Sequence, residues 1–185
     1  MAKVNRGQSV FIIALLLQML FTTALAQERN PLNIGTFHSP KGFGACVEIR
    51  PDSASFDAFT IIADMHGVLT GEHPRPGVKM TYTRDIVLKH FDKDGYFVDM
   101  YVGPGLTAGY ARDINKPYSL VAGLACVAGS RFSFTTNLTV SIELCTDIAL
   151  DLARNPRYGK IDLSLYKSGI YHTIFPQLRI QYRLK

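Results

Sequence analysis

The 185-residue chain has no tryptophan, three cysteines, and charged side chains at 19% of its positions. The cysteines, Cys46, Cys126 and Cys145, are odd in number and match no metal-ligating spacing such as C-x-x-C, which argues against a disulfide framework or a structural zinc site. No block of like charge marks an acidic or basic tail. A formal net charge of +5 with no arginine-rich face is too small to argue for a nucleic-acid partner. Beyond Ala26 no stretch sustains an apolar helical period, and no Walker, Rossmann or heptad pattern is present, so nucleotide-binding α/β folds and coiled coils drop out. What is left is an all-β chain of one-domain length.

The first 26 residues differ from the rest. Lys3 and Arg6 precede the apolar run VFIIALLLQMLF, and Ala24-Leu25-Ala26 before Gln27 supplies small residues at a cleavage point. The run is short of the ~20 residues a spanning helix needs. The expectation is therefore a signal peptide over 1–26, cleaved after Ala26; Gln27 in place of a cysteine speaks against a lipoprotein. Residues 27–41 read as a loose N-terminal extension, and 42–185 as the folded domain.

Within that domain the segment 134–152, FTTNLTVSIELCTDIALDL, alternates without a break. Phe134, Leu138, Val140, Ile142, Leu144, Ile148, Leu150 and Leu152 fall on one face, against Asn137, Ser141, Glu143, Cys145, Asp147 and Asp151 on the other. A period of two is that of a strand, whose successive side chains point to opposite faces. The pattern recurs in FGACVEI, FDAFTIIADMHGVLTG, VKMTYTRDIVLKHF, YFVDMYVGPGLTAGYARD, SLVAGLACVA, IDLSLYKSGIYHT and QLRIQYRLK, with turn-forming residues between them. Eight strands with short turns suit an antiparallel up-and-down barrel, because closure removes exposed edges. Arg84 is the misfit on the otherwise apolar face of its strand.

Periodicity alone leaves open which face is wet. A soluble barrel, such as a lipocalin-like protein holding an apolar ligand, packs the apolar face inward; a membrane barrel turns it to lipid and lines a small interior with the polar one. Two features favour the membrane. Tyr82, Tyr96, Tyr110, Tyr118 and Tyr182 lie toward strand ends, as in interfacial aromatic girdles. The polar face also mixes glycines with both signs of charge, which suits a narrow interior in which charges pair. Its expected members are Glu48, Asp64, His66, Lys79, Asp85, Asp99, Glu143, Asp147, Arg179 and Arg183.

GYFVDMYVGPGLTAGYARD and QLRIQYRLK resemble strands of the small eight-stranded outer-membrane barrels, the group that contains OmpX-like and OmpA-like proteins. The resemblance covers residues 42–185 as a pattern. It implies a transmembrane barrel in a Gram-negative outer membrane, inserted by the barrel-assembly machinery and bathed in outer-membrane lipid. Members usually end in an aromatic residue; here the last one is Tyr182.

Little in the chain points to catalysis. Asp92-Lys93-Asp94-Gly95 has the look of a calcium loop but lacks its downstream bidentate Glu, and reads as a hairpin turn. Asn137-Leu138-Thr139 matches a glycosylation sequon by chance. On the strand expected over 161–173, Asp162, Ser164, Ser168 and His172 share a face, residue types that a lipid-acyl hydrolase or transferase would use. Residues four apart on a strand are ~13 Å apart, so Ser168 and His172 cannot form an activated pair. The expectation is a non-enzymatic monomer with a structural, membrane-maintenance or weak binding role, without cofactor, metal or nucleic acid.

Overall fold

The computed structural model describes residues 31–184 apart from 51, 70, 72–75, 114–117, 135–136 and 155–160. The expected signal peptide, residues 1–26, lies outside the described residues. The folded unit is built from nine strands: β1 (Leu32–Ser39), β2 (Gly42–Ile49), β3 (Ser55–Asp64), β4 (Gly77–Lys93), β5 (Tyr96–Arg112), β6 (Tyr118–Phe134), β7 (Leu138–Arg154), β8 (Ile161–Leu165) and β9 (Gln177–Leu184). Two short helices join them, α1 (His66–Leu69) and α2 (Lys167–Tyr171), the second running into a 3₁₀ turn at His172–Ile174.

Every neighbouring pair is antiparallel. The sheet runs from β6 back through β5, β4, β3, β2 and β1 to β9 and β7, and β7 returns to pair with β6, which closes the wall. β8 and β9 lie on the same edge of β7: β8 pairs with Leu150–Arg154 and β9 with Leu138–Glu143. Nine strands thus form eight staves, the last one interrupted. Starting at His38, the register passes Phe43, Ala63, Val78, Tyr110 and Leu120 to reach Leu152 of β7. In the other direction it passes Leu178 to reach Ile142, a stagger of ten residues on the same strand. Such a stagger goes with strands tilted by roughly 35–45° and an eight-stave interior just wide enough for side chains.

Turn chemistry explains the tight end, which also holds both termini of the barrel. Asp94-Gly95 joins β4 to β5 in two residues, with Gly95 at φ 90°, the left-handed backbone such hairpins need. Asn137, at φ 64°, serves the turn before β7, asparagine being one of the few residues that tolerate this region. In the β2–β3 turn Asp52 accepts hydrogen bonds from the amides of Ser55 (2.6 Å) and Ala54 (2.8 Å), the Ser55 amide chiefly holding its carboxyl below the usual range.

Three expectations require correction. Residues 27–41 are not a loose extension throughout: Leu32–Ser39 is the first stave, paired on both edges, so the barrel begins well before residue 42. Its alternation breaks at Thr36, Phe37 and His38, where the outward pair is polar and exposed and the inward residue is apolar and buried, and pairing supplies what local pattern does not. The second expected strand stops at Asp64, where Met65 donates its amide to Lys41 O (2.8 Å) and α1 begins. The strand expected over 161–173 ends at Leu165. Between Leu165 and Leu178 there is more chain than the β7 edge from Leu150 to Ile142 can pair when extended, and the surplus coils into α2 and the 3₁₀ turn.

Candidate functional site: the ion-paired interior

The alternation fixes which side chains enter the barrel. On β7, Glu143 is 2% exposed and its neighbour Leu144 44%. The same holds around the wall: Asp64, Lys79, Asp85, Asp99, Asp147 and Arg179 are buried, while Ile61, Met80, Ile86, Leu106, Leu124, Ile148 and Ile180 are exposed. Arg183 is half-buried. His66 starts α1, and its side chain lies outside the described residues.

The interior charges gather in three clusters. Toward the termini, Asp99 meets Arg50 Nη1 at 3.1 Å and His90 Nδ1 at 2.6 Å. In the middle, Glu48 meets Arg131 Nη1 at 2.6 Å and accepts a hydrogen bond from Asn33 Nδ2 at 3.0 Å. Arg179 bridges two carboxylates, with Nη2 at 2.9 Å from Glu143 Oε1 and Nη1 at 3.9 Å from Glu48. The Tyr101 hydroxyl donates to the other oxygen of Glu143 at 2.7 Å, and its ring meets Phe56 edge-on, 5.0 Å between centroids. Arg131 in turn lies over the face of Phe56, 5.0 Å from its centroid. Glycine makes this density possible: a Cβ at Gly103 would collide with the Asp85 carboxylate.

At the opposite mouth Lys79 pairs with Asp147, and Ser119 donates to Asp151. Lys41, in the β1–β2 turn, bonds the Tyr166 hydroxyl, donates to Arg112 O at 3.0 Å and lies 3.9 Å from Asp64. Burial pushes its ammonium down to about 8, against the pull of Asp64. Asp113 accepts the Ser168 amide at 2.7 Å, which fixes the start of α2. A cavity of about 20 Å³, room for a water molecule, sits among Lys41, Asp64, Lys79, Asp147, Tyr166 and Ser168.

Between the middle cluster and this mouth the interior turns small and weakly polar, with Ile62, Phe37, Cys46, Cys145, Val127 and the threonines 60, 81, 83 and 107. The three cysteines are free, Cys46 and Cys145 buried and Cys126 exposed on the outer face. In the middle cluster Nε and Nη2 of Arg131 and Nε of Arg179 have no protein hydrogen-bond partner among the described residues. The interior thus carries more donors than protein contacts satisfy, unlike an apolar core.

Several of these residues escaped the sequence. Arg131 falls between two expected strands, among the residues read as turn-forming, yet β6 runs on to Phe134 and the alternation carries Arg131 inward; following the period past Gly129 finds it. Lys41 had no such signal, because only tertiary pairing brings its turn to β5 and α2. Tyr118, expected in an outer girdle, is buried, stacks on Tyr110 (5.6 Å) and donates to Asp64 O at 3.2 Å. Ser168 lies in α2 and Asp162 in β8, so they do not share a strand face with His172, whose side chain lies outside the described residues.

Among the described residues no His, Cys, Asp and Glu side chains group as metal ligands, and no helix is long and apolar enough to cross a membrane. No protein-family model matches the chain, and no curated protein is significantly similar to it. Fold and interior define the class: a small, closed, eight-staved antiparallel barrel with a charged interior and an apolar outer face.

Proposed function

We propose that this chain is a small outer-membrane β-barrel of a Gram-negative cell, exported by its N-terminal segment and non-enzymatic, with a structural or membrane-maintenance role. The observation that carries the reading is the inverted partition of side chains. Arginines 131 and 179 and eight carboxylates are buried among the described residues, while exposed leucines, isoleucines and methionines dominate the outer face of β4 to β9. In water that outer face would be an aggregation surface; against hydrocarbon it costs nothing, and closure of the wall satisfies the backbone as a bilayer demands.

The occupied interior supports a structural role over a conducting one. Ion pairs cross the lumen at three levels, and the cavity beside Ser168 has room only for water-sized groups. Fractionation combined with a detergent gel tests the proposal. The protein should sediment with outer membranes, and its unboiled band should migrate apart from the boiled one. A band in the soluble periplasmic fraction with no heat-dependent shift would contradict it.

A further inference from the structure

One polar island interrupts the apolar outer face. Asp57 of β3 and Arg84 of β4 are register partners and point outward. Arg84 Nη1 lies 3.0 Å from Asp57 Oδ2, its Nη2 donates to Ser55 Oγ at 3.0 Å, and the Tyr82 hydroxyl donates to Asp57 Oδ1 at 2.9 Å. The Arg84 side chain nonetheless remains 47% exposed. Along the same strand the outward residue before it is the half-buried Tyr82, preceded by exposed Met80, and exposed Ile86 and Leu88 follow it. The island therefore lies within the apolar band and not at its margin.

An arginine on the lipid face of a barrel is costly near the midplane, and internal pairing relieves only part of that for a half-exposed guanidinium. We infer that the β3–β4 outer face is a contact surface for a second copy of this chain in the membrane. Charge geometry selects that partner. Two barrels inserted in the same orientation are related by a two-fold axis along the membrane normal, and such an axis exchanges the left and right members of a side-by-side pair. Arg84 of each copy then faces Asp57 of the other, and four charges alternate in a closed ring. The contact is isologous, so it stops at the dimer. Phe59 and Tyr82, with ring centroids 4.8 Å apart and planes tilted by 36° beside the pair, provide apolar area around it.

This inference rests on the membrane reading, and a charge-swap mixture separates the two. Arg84→Asp makes the island wholly acidic and Asp57→Arg makes it wholly basic. Proteins labelled with fluorophores on the exposed Cys126 are reconstituted into phosphatidylcholine vesicles at low protein-to-lipid ratio, and energy transfer is read between copies. Wild type should transfer energy, each variant alone should lose at least tenfold in dimer affinity, and the acidic–basic mixture should regain transfer. An acidic–basic mixture no better than either variant alone, or a monomeric wild type in vesicles, overturns the inference. Insertion is checked on the same samples by the heat-dependent gel shift. Should either variant fail to insert, Asp57→Asn with Arg84→Gln removes both charges, and undiminished transfer in that protein overturns it equally. Failure of the membrane reading is a different result, namely wild type that does not enter vesicles.

Discussion

Adjacent residues on one strand carry opposite demands here. Leu144 faces out and Glu143 accepts hydrogen bonds from Arg179 and Tyr101 inside. Leu144→Arg should cost roughly 2–4 kcal/mol of folding free energy in a bilayer, read by urea titration in vesicles. Glu143→Gln keeps an acceptor but leaves Arg179 more dependent on Glu48. It should insert, with a smaller loss. Equal damage from both would show that the two faces are not distinguished.

Lys41 gives a pH signature at the same scale. Its ammonium loses its proton near pH 8 in the fold, against 10.5 when exposed. Between those values the unfolded chain binds more protons than the native one, so stability from this group rises with pH from about 8 to about 10.5 and is flat on either side. The rise amounts to roughly 2–4 kcal/mol. Lys41→Met should remove it from the difference between variant and wild type, measured by urea titration in detergent micelles from pH 7 to 11. An unchanged slope would place Lys41 in water.

Elements show where local pattern stops being informative. The phases of β2 to β7 and β9 were legible because a buried polar and an exposed apolar set alternate over long runs, shifted once by the bulge between Val87 and Lys89, and a slip by one residue would exchange them. Arg84 stood out as a misfit from the alternation alone. The interrupted stave was not legible: Ile161, Leu163, Leu165, Gly169 and Tyr171 keep a strand period through residues that the fold coils. Only the fixed length of the β7 edge and the anchoring of α2 decide that conformation. Tyr166 donates its amide to Ala149 O at 2.9 Å, Thr146 donates to Thr173 Oγ1 at 3.0 Å, and Gly169 packs on the Asp147 backbone. A side chain at Gly169 would meet Asp147 and the Tyr166 ring. Gly169→Val should therefore lower the urea midpoint by the equivalent of about 1–3 kcal/mol while leaving strand content by circular dichroism unchanged. A neutral result would mean that α2 does not close the wall.

At the scale of the whole molecule the barrel is an inside-out protein, with charged side chains within and apolar ones without. Breaking a buried pair leaves an uncompensated charge, at roughly 3–5 kcal/mol, so the interior network ties staves that are distant in sequence, β2 to β6 through Glu48–Arg131 and β7 to β9 through Glu143–Arg179. A charged interior therefore specifies stave order where an outer surface of interchangeable apolar residues cannot.

Cys126 offers the most direct reading of which face is wet. It is exposed on the outer face of β6, between outward Leu124 and Ala128, while Cys46 and Cys145 are buried. A nitroxide spin label on Cys126 in phospholipid vesicles should collide readily with oxygen, which concentrates in hydrocarbon, and hardly at all with a water-soluble nickel chelate. Strong nickel relaxation with weak oxygen relaxation would put water on the outer face and contradict the account.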